Sequence, residues 1–140
     1  MQDAHVCGIP DIQLTGQDGK TVNPSDFAGH DLVMLLCPAD QKAAKRELAS
    51  YNALADALAY NDAYMIAVCG AKAGPPASRI TICADAGRAW DAVEKCLAGK
   101  EQLSPDEGAV LLFGRGGSLR MVWRGVGHSR EVMDALGERM

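Results

Sequence analysis

The chain has 140 residues, of which 48% are apolar and 23% are charged, and its formal net charge is -4. These values are typical of one globular domain with a core of its own, and they exclude a disordered chain, a fibrous protein and a pair of full-sized domains. The 14 Lys and Arg residues are spread along an acidic chain without a basic cluster, so nucleic acid is not an expected partner.

The hydropathy pattern predicts no membrane segment. The longest unbroken apolar run, residues 32–37, is far shorter than the roughly 20 residues that a bilayer span requires. The first ten residues combine neither a basic start nor an apolar stretch, so no secretory signal is recognised. We therefore expect a single domain over residues 1–140, located in the cytoplasm.

The five cysteines are an odd number and cannot all pair within one chain, and a reducing cytoplasm would keep most of them as thiols. No two of them are spaced as C-x-x-C, and the three histidines, His5, His30 and His128, are far apart in the sequence. We therefore expect no metal site and no cofactor.

The first half of the chain predicts a hairpin, a strand and a helix. Two short alternating segments in IQLTGQDGKTV flank Asp18 and Gly19, a dipeptide that favours a tight hairpin turn. The run DLVMLLC that follows is apolar at every position after the first, as in a strand buried inside a parallel sheet. From residue 40 to residue 60, apolar side chains recur every three or four positions, which predicts one amphipathic helix.

The second half predicts two more strands, AYMIAVCG and RITIC, separated by the loop GAKAGPPASR, whose adjacent prolines exclude a continuous helix. Residues 87–97 return to helical spacing. AVLLF and LRMVW flank the turn GRGG as a second hairpin, and Ser129 is expected to cap a final helix. This order predicts an α/β fold in which a central mixed sheet has helices on both faces.

Two segments, IPDIQLTGQDGKTVNPSDFAGHDLVMLLCPAD and GAVLLFGRGGSLRMVWRG, resemble the peroxiredoxins of the alkyl hydroperoxide reductase/thiol-specific antioxidant family. The resemblance covers most of the chain. It implies a thioredoxin-like, peroxiredoxin-type three-layer sandwich with a central mixed sheet and an amino-terminal β-hairpin. It also implies thiol-dependent oxidoreductase chemistry and the pairing of two copies into a homodimer.

The active-site motif of that family, P-x-x-x-T-x-x-C, is altered in this chain. Counted from Pro38, the threonine falls on Lys42 and the peroxidatic cysteine on Lys45. A one-residue deletion would move the cysteine position to Ala44. The family's arginine before the later strand is replaced by Glu107, and a carboxylate raises the pKa of a neighbouring thiol. Because peroxide reduction needs a thiolate beside positive charge, the resemblance implies a degenerate peroxidase site.

Cys37 is the candidate for a substitute nucleophile. It lies where other thioredoxin-fold proteins place the first cysteine of C-x-x-C, and Asp40 replaces the second. A helix beginning near Pro38 would put Cys37 close to its positive end, which lowers a thiol pKa, although Asp40 opposes this effect. The alternative is that Cys37 is the last apolar side chain of a buried strand.

Three functions are open at this point. The first is a redoxin-family protein that is not a peroxidase and binds a protein or small-molecule partner. Its site would be lined by Pro38, Asp40, Lys42, Lys45 and Glu107. The second is a single-cysteine thiol-disulfide or peroxide-reducing enzyme with Cys37 as the catalytic residue. The third is a free-standing relative of the inactive thioredoxin-like domain found in some flavin-dependent aromatic hydroxylases.

Overall fold

The computed structural model describes residues 7–69, 78–97 and 102–137, so most of the loop predicted at residues 70–79 lies outside the described residues. The strands are β1 (Leu14–Thr15), β2 (Thr21–Val22), β3 (Asp31–Leu36), β4 (Ala63–Val68), β5 (Ile80–Cys83), β6 (Ala109–Phe113) and β7 (Leu119–Arg124). The α-helices are α1 (Gln41–Ala53), α2 (Asp56–Tyr60), α3 (Ala86–Leu97) and α4 (Ser129–Gly137).

Strand β3 lies at the centre of a five-stranded sheet with the order β5-β4-β3-β6-β7. Strands β3, β4 and β5 are parallel, whereas β6 runs antiparallel to β3 and β7 antiparallel to β6. Every residue of β3 and β6 is buried. The sheet is therefore mixed. Strands β3 and β6 carry apolar side chains on both faces, as expected when both faces of the sheet are covered.

Helices cover the sheet on both faces and give the molecule three layers. Val33 and Leu35 of β3 belong to one core cluster with the buried side chains of α1, α2 and α4. Leu32 and Met34 point to the other face and cluster with α3 and the β1–β2 hairpin. The predicted three-layer α/β sandwich is confirmed, with its mixed sheet and its amino-terminal hairpin.

The helix predicted over residues 40–60 is divided in two. Helix α1 ends at Ala53 and α2 begins at Asp56. Between them, backbone hydrogen bonds join each residue to the one three positions earlier, as in a 3-10 helix. Leu54 N–H, for example, donates to the Tyr51 carbonyl at 3.1 Å. Apolar spacing does not reveal this break because neither glycine nor proline marks it.

The amino-terminal end of α4 also differs from the prediction. The helix begins at Ser129, so Ser129 is its first residue and not a cap that precedes it. The first turn is closed by the His128 carbonyl, which accepts a hydrogen bond from Val132 N–H at 2.9 Å. The cap position therefore belongs to His128.

Candidate active site

Cys37 and Cys69 form a disulfide at the carboxyl ends of β3 and β4, which are neighbouring parallel strands. Strands β3 and β4 pair in parallel with Leu36 opposite Val68, so the residues that follow them are neighbours. Their Cα atoms are 5.0 Å apart, and Cys37 N–H donates to the Val68 carbonyl at 3.1 Å. The register of the sheet thus places two sulfur atoms side by side.

Both sulfur-bearing residues are almost buried. Cys37 is 8% exposed and Cys69 is 5% exposed, and both belong to the core cluster beneath α1. The interpretation of Cys37 as a core side chain is therefore compatible with the structure, but it omits the bond with Cys69. The signal that sequence reasoning missed is that DLVMLL and AYMIAV are strands of equal length, each followed directly by cysteine.

Helix α1 begins further from Cys37 than the sequence suggests. Its first residue is Gln41, and the Asp40 carboxylate caps it by accepting a hydrogen bond from Ala43 N–H at 2.9 Å. Pro38 is accordingly part of the connection and not the first helical residue. Cys37 lies four positions before the helix, so the direct influence of the helix amino terminus on its sulfur is weaker than expected, since that influence is confined to the first turn.

A cavity of about 530 Å³ opens beside the disulfide. Cys37 and Pro38 form one side of it, and α3 contributes Trp90 to its lining. Asp91 and Glu94, also from α3, bring two exposed carboxylates to the same cavity. Cys69 does not line this cavity, so an external reagent that enters it meets Cys37 first.

A second cavity, of about 590 Å³, lies on the other side of Pro38. Its lining includes the carboxylates of Asp40, Asp106 and Glu107 together with Arg124 at the end of β7. This cavity thus brings together three of the site residues predicted from the sequence, Pro38, Asp40 and Glu107. Two other predicted site residues, Lys42 and Lys45, are exposed on α1 and line neither of the two cavities.

Gly108 holds the backbone around Cys37 in close contact with β6. Its φ angle is +81°, and a Cβ atom at this position would lie 2.8 Å from the Leu36 carbonyl oxygen and 2.9 Å from Pro38 N. Any other residue would both strain this φ angle and collide with the segment that carries Cys37. Gly108 is not among the site residues predicted from the sequence.

The remaining cysteines are not part of this site. Cys7 and Cys96 form a second disulfide, with Cα atoms 4.9 Å apart, which joins the amino-terminal segment to α3. Cys83 is a buried thiol whose pKa is raised to about 11, chiefly by burial and further by the carboxylates of Asp85 and Asp18. The expectation that most of the cysteines are thiols is therefore wrong for this structure, because four of the five are paired.

The loop between β7 and α4, beside the second cavity, is fixed by two side chains. The buried Glu47 carboxylate accepts a hydrogen bond from Gly127 N–H at 3.0 Å. The His128 ring lies between the Glu131 carboxylate and the Arg124 carbonyl, each 2.9 Å away. The hydrogen bond with Glu131 raises the pKa of His128, while partial burial opposes this.

Within the described ranges, no group of three or more His, Cys, Asp or Glu side chains is arranged to hold a metal ion. None of the helices in those ranges is long and apolar enough to cross a membrane.

No family model and no curated protein matches the sequence. Solved structures do match the fold. The Xanthomonas campestris bacterioferritin comigratory protein, described for its alkyl peroxide reduction activity, is 20% identical, with 91% of each chain covered and a TM-score of 0.70. A cysteine-to-serine mutant of Xylella fastidiosa PrxQ is 16% identical over 93% of this chain and 90% of that one, with a TM-score of 0.69.

BsSco, of the Sco family of cytochrome c oxidase assembly proteins, is 11% identical over 99% of this chain and 96% of that one, with a TM-score of 0.66. Its structure is described as identifying a disulfide switch. Identities this low show the fold and not the activity. The thioredoxin-like, peroxiredoxin-type fold predicted from the sequence is confirmed.

Proposed function

We propose that this chain is a thiol-disulfide redox protein on a peroxiredoxin-type fold, with Cys37 and Cys69 as its redox pair and no peroxidatic cysteine on α1. The observation that carries the proposal is the bond between Cys37 and Cys69, with Cys37 facing a cavity. This extends the single-cysteine mechanism that the sequence left open as an alternative, because Cys69 supplies the second sulfur that completes an exchange cycle.

The exchange runs through a mixed disulfide. In the reduced protein the Cys37 thiolate attacks a substrate disulfide, forming a bond to one substrate sulfur and releasing the other as a thiolate. The Cys69 thiolate then attacks the Cys37 sulfur and expels the second substrate thiolate. Two electrons pass from the cysteine pair to the substrate, and the released thiolates take up two protons. The same steps in reverse oxidise a dithiol.

The geometry supports Cys37 as the exchanging sulfur and Cys69 as the resolving one. Cys37 lines the cavity of about 530 Å³ and Cys69 does not. Attack from outside is therefore directed at Cys37, and Cys69 is the thiol that leaves when the oxidised form is opened.

Direct peroxide reduction is not part of the proposal. The two positions of α1 that match the peroxidatic cysteine are occupied by Ala44, which is buried, and Lys45, which is exposed. The described lining of the nearby cavity includes the carboxylates of Asp40, Asp106 and Glu107 and one cation, Arg124. A surface dominated by carboxylates stabilises a peroxide-cleaving thiolate poorly.

Trapping of the mixed disulfide tests the proposal. The reduced Cys69→Ser variant should accumulate an adduct of one 2-mercaptoethanol unit at Cys37 when treated with 2-hydroxyethyl disulfide, as read by intact mass and peptide mapping. With Cys7 and Cys96 replaced by serine in every protein compared, Cys37→Ser should form none, and Cys83→Ser should cycle like the protein that retains Cys37, Cys69 and Cys83. An adduct that maps to Cys69 or Cys83, or the absence of any adduct, would overturn the assignment.

A second candidate function is a non-catalytic protein that binds a protein or small-molecule partner, a second copy of this chain included. The near-complete burial of both bonded cysteines favours it, since a structural disulfide is buried in the same way. On this hypothesis Cys37→Ser leaves partner binding intact, and the wild type consumes neither peroxide nor model disulfides above a protein-free blank.

The direction of exchange depends on the compartment. In a reducing cytoplasm, the location expected from the sequence, the pair is held mainly as a dithiol and reduces substrate disulfides. In an oxidising compartment the disulfide form predominates and oxidises substrate dithiols. The second disulfide, Cys7–Cys96, favours the oxidising case, because structural disulfides persist chiefly in such compartments.

A further inference from the structure

We infer that the Cys37 cavity selects substrates whose reactive cysteine lies in a positively charged segment, such as a partner peptide with Lys or Arg beside the cysteine. The inference rests on the proposed thiol-disulfide exchange and names the class of substrate for it. It combines three observations: a cavity that reaches the disulfide, an apolar wall inside the cavity, and negative charge at its rim.

The cavity has the size and lining of a binding site for a short peptide segment. Its volume of about 530 Å³ falls within the range of ligand pockets. Trp90 of α3 lies in its wall and is only 7% exposed, and Cys37 and Pro38 also line it. An extended segment that carries a cysteine can therefore pack apolar atoms against Trp90 while its sulfur approaches Cys37.

Among the described residues, the charged side chains that line the cavity are both acidic. Asp91 and Glu94 are three residues apart on α3, which places them on the same helix face, and both are exposed. No described Lys or Arg forms an ion pair with either carboxylate. A cationic substrate can therefore pair with these two carboxylates without displacing a described partner.

The surface next to the Cys37 cavity is also negatively charged. On the other side of Pro38, the described residues of the second cavity bring three carboxylates, from Asp40, Asp106 and Glu107, and one cation, Arg124. Charges near the mouth of a cavity act over about one Debye length, roughly 8 Å at physiological salt, and they change association rates more than they change the chemistry. The expected effect is therefore a preference in rate that added salt weakens.

Three symmetrical disulfides of different charge test this inference: cystamine, which is cationic, 2-hydroxyethyl disulfide, which is neutral, and 3,3′-dithiodipropionate, which is anionic. Each rate constant with the fully reduced protein is divided by the rate constant of dithiothreitol with the same disulfide, which removes differences in intrinsic reactivity. We expect the normalised rate to fall by about tenfold from cystamine to the neutral disulfide, and again to the anionic one, at low salt. About 0.5 M NaCl should remove most of the difference.

The double variant Asp91→Asn/Glu94→Gln should lower the ratio of the cystamine rate to the neutral rate toward one. A matched control, Asp56→Asn/Asp134→Asn, removes the same charge from exposed helical positions outside both cavities and should leave the ratio as in the wild type. Equal changes in the two double variants would overturn the local role of Asp91 and Glu94.

The failure of this inference and the failure of the proposed function give different results. If the neutral disulfide reacts through Cys37 but all three normalised rates are equal, the substrate preference is wrong and the redox function stands. If the wild type reacts with none of the three disulfides faster than Cys37→Ser does, the redox function itself is wrong.

Discussion

Gly108 is the residue on which the backbone around Cys37 depends most directly. We expect Gly108→Ala to lower the free energy of unfolding by about 1–3 kcal/mol, because the new Cβ would press on the Leu36 carbonyl and Pro38 N, and alanine would be strained at a φ of +81°. Urea unfolding followed by tryptophan fluorescence measures the change. The exchange rate of Cys37 should fall as well, since the displaced segment carries this cysteine.

Gly116, in the turn between β6 and β7, provides the control. A Cβ at Gly116 meets no atom within 4 Å, so Gly116→Ala should change the unfolding free energy by no more than about 0.5 kcal/mol. Equal losses for the two substitutions would mean that the close contact at Gly108 contributes nothing specific.

For individual residues, the sequence predicts burial better than it predicts which residues are in contact. The apolar runs that end in Cys37 and Cys69 identify two core strands without further information. Their sulfur atoms are brought together only by strand order and register, which hydrophobic patterns within a single segment do not encode. Pro38 was grouped with Glu107 because the resemblance supplied that long-range pairing, whereas the pairing of Cys37 with Cys69 had no such source.

The connection from β7 to α4 is an element whose stability should depend on pH. The pKa of His128 is raised above its ordinary value of 6.5, mainly by the hydrogen bond with Glu131. The folded protein therefore holds the His128 proton more tightly than the unfolded chain does. This contribution is fully present below the unfolded pKa and is lost as pH rises through the folded pKa.

We expect His128→Gln to destabilise the protein most at about pH 5.5, and to cost progressively less as pH rises above 6.5, because the protonated ring makes the stronger contact with Glu131. The measurement is the difference in urea midpoint between wild type and variant across this range. Glu131→Gln should flatten the same pH dependence. A difference that grows with pH would contradict the assignment of the raised pKa to His128.

The secondary-structure elements were predictable to different degrees for local reasons. Strand β3 and helix α3 follow from apolar periodicity that a single segment displays. The break after Ala53 does not, since Leu58 of α2 stays buried and keeps the apolar spacing of one continuous helix. Tertiary packing decides where that helix divides.

For the whole molecule, the Cys7–Cys96 disulfide is the longest-range covalent link, with a sequence separation of 89. Removing it by Cys7→Ser/Cys96→Ser should lower the unfolding free energy by about 2–4 kcal/mol, because the unfolded chain gains conformational entropy once the loop is no longer closed. Denaturant unfolding of the oxidised proteins measures this loss, and exchange at Cys37 should be unchanged.

The single variants serve as the control for that prediction. Cys7→Ser and Cys96→Ser each break the same bond, so each should lose about as much stability as the double variant does. If the stability losses of the two single variants instead add up to the loss of the double variant, the effect comes from side-chain packing and not from the disulfide. Alkylation of the unfolded, non-reduced wild type should modify one cysteine of the five, Cys83.

The bond between Cys37 and Cys69 also closes a ring that contains α1, α2 and β4, with a sequence separation of 32. A protease that cuts at the junction of α1 and α2 would open this ring without separating its two pieces. In the Cys7→Ser/Cys96→Ser variant, in which no other disulfide spans the cut, the nicked chain would migrate as one band until a reductant is added and as two bands afterwards. Limited proteolysis of an extract of cells that express this variant would therefore report which oxidation state of the Cys37–Cys69 pair the chain holds there.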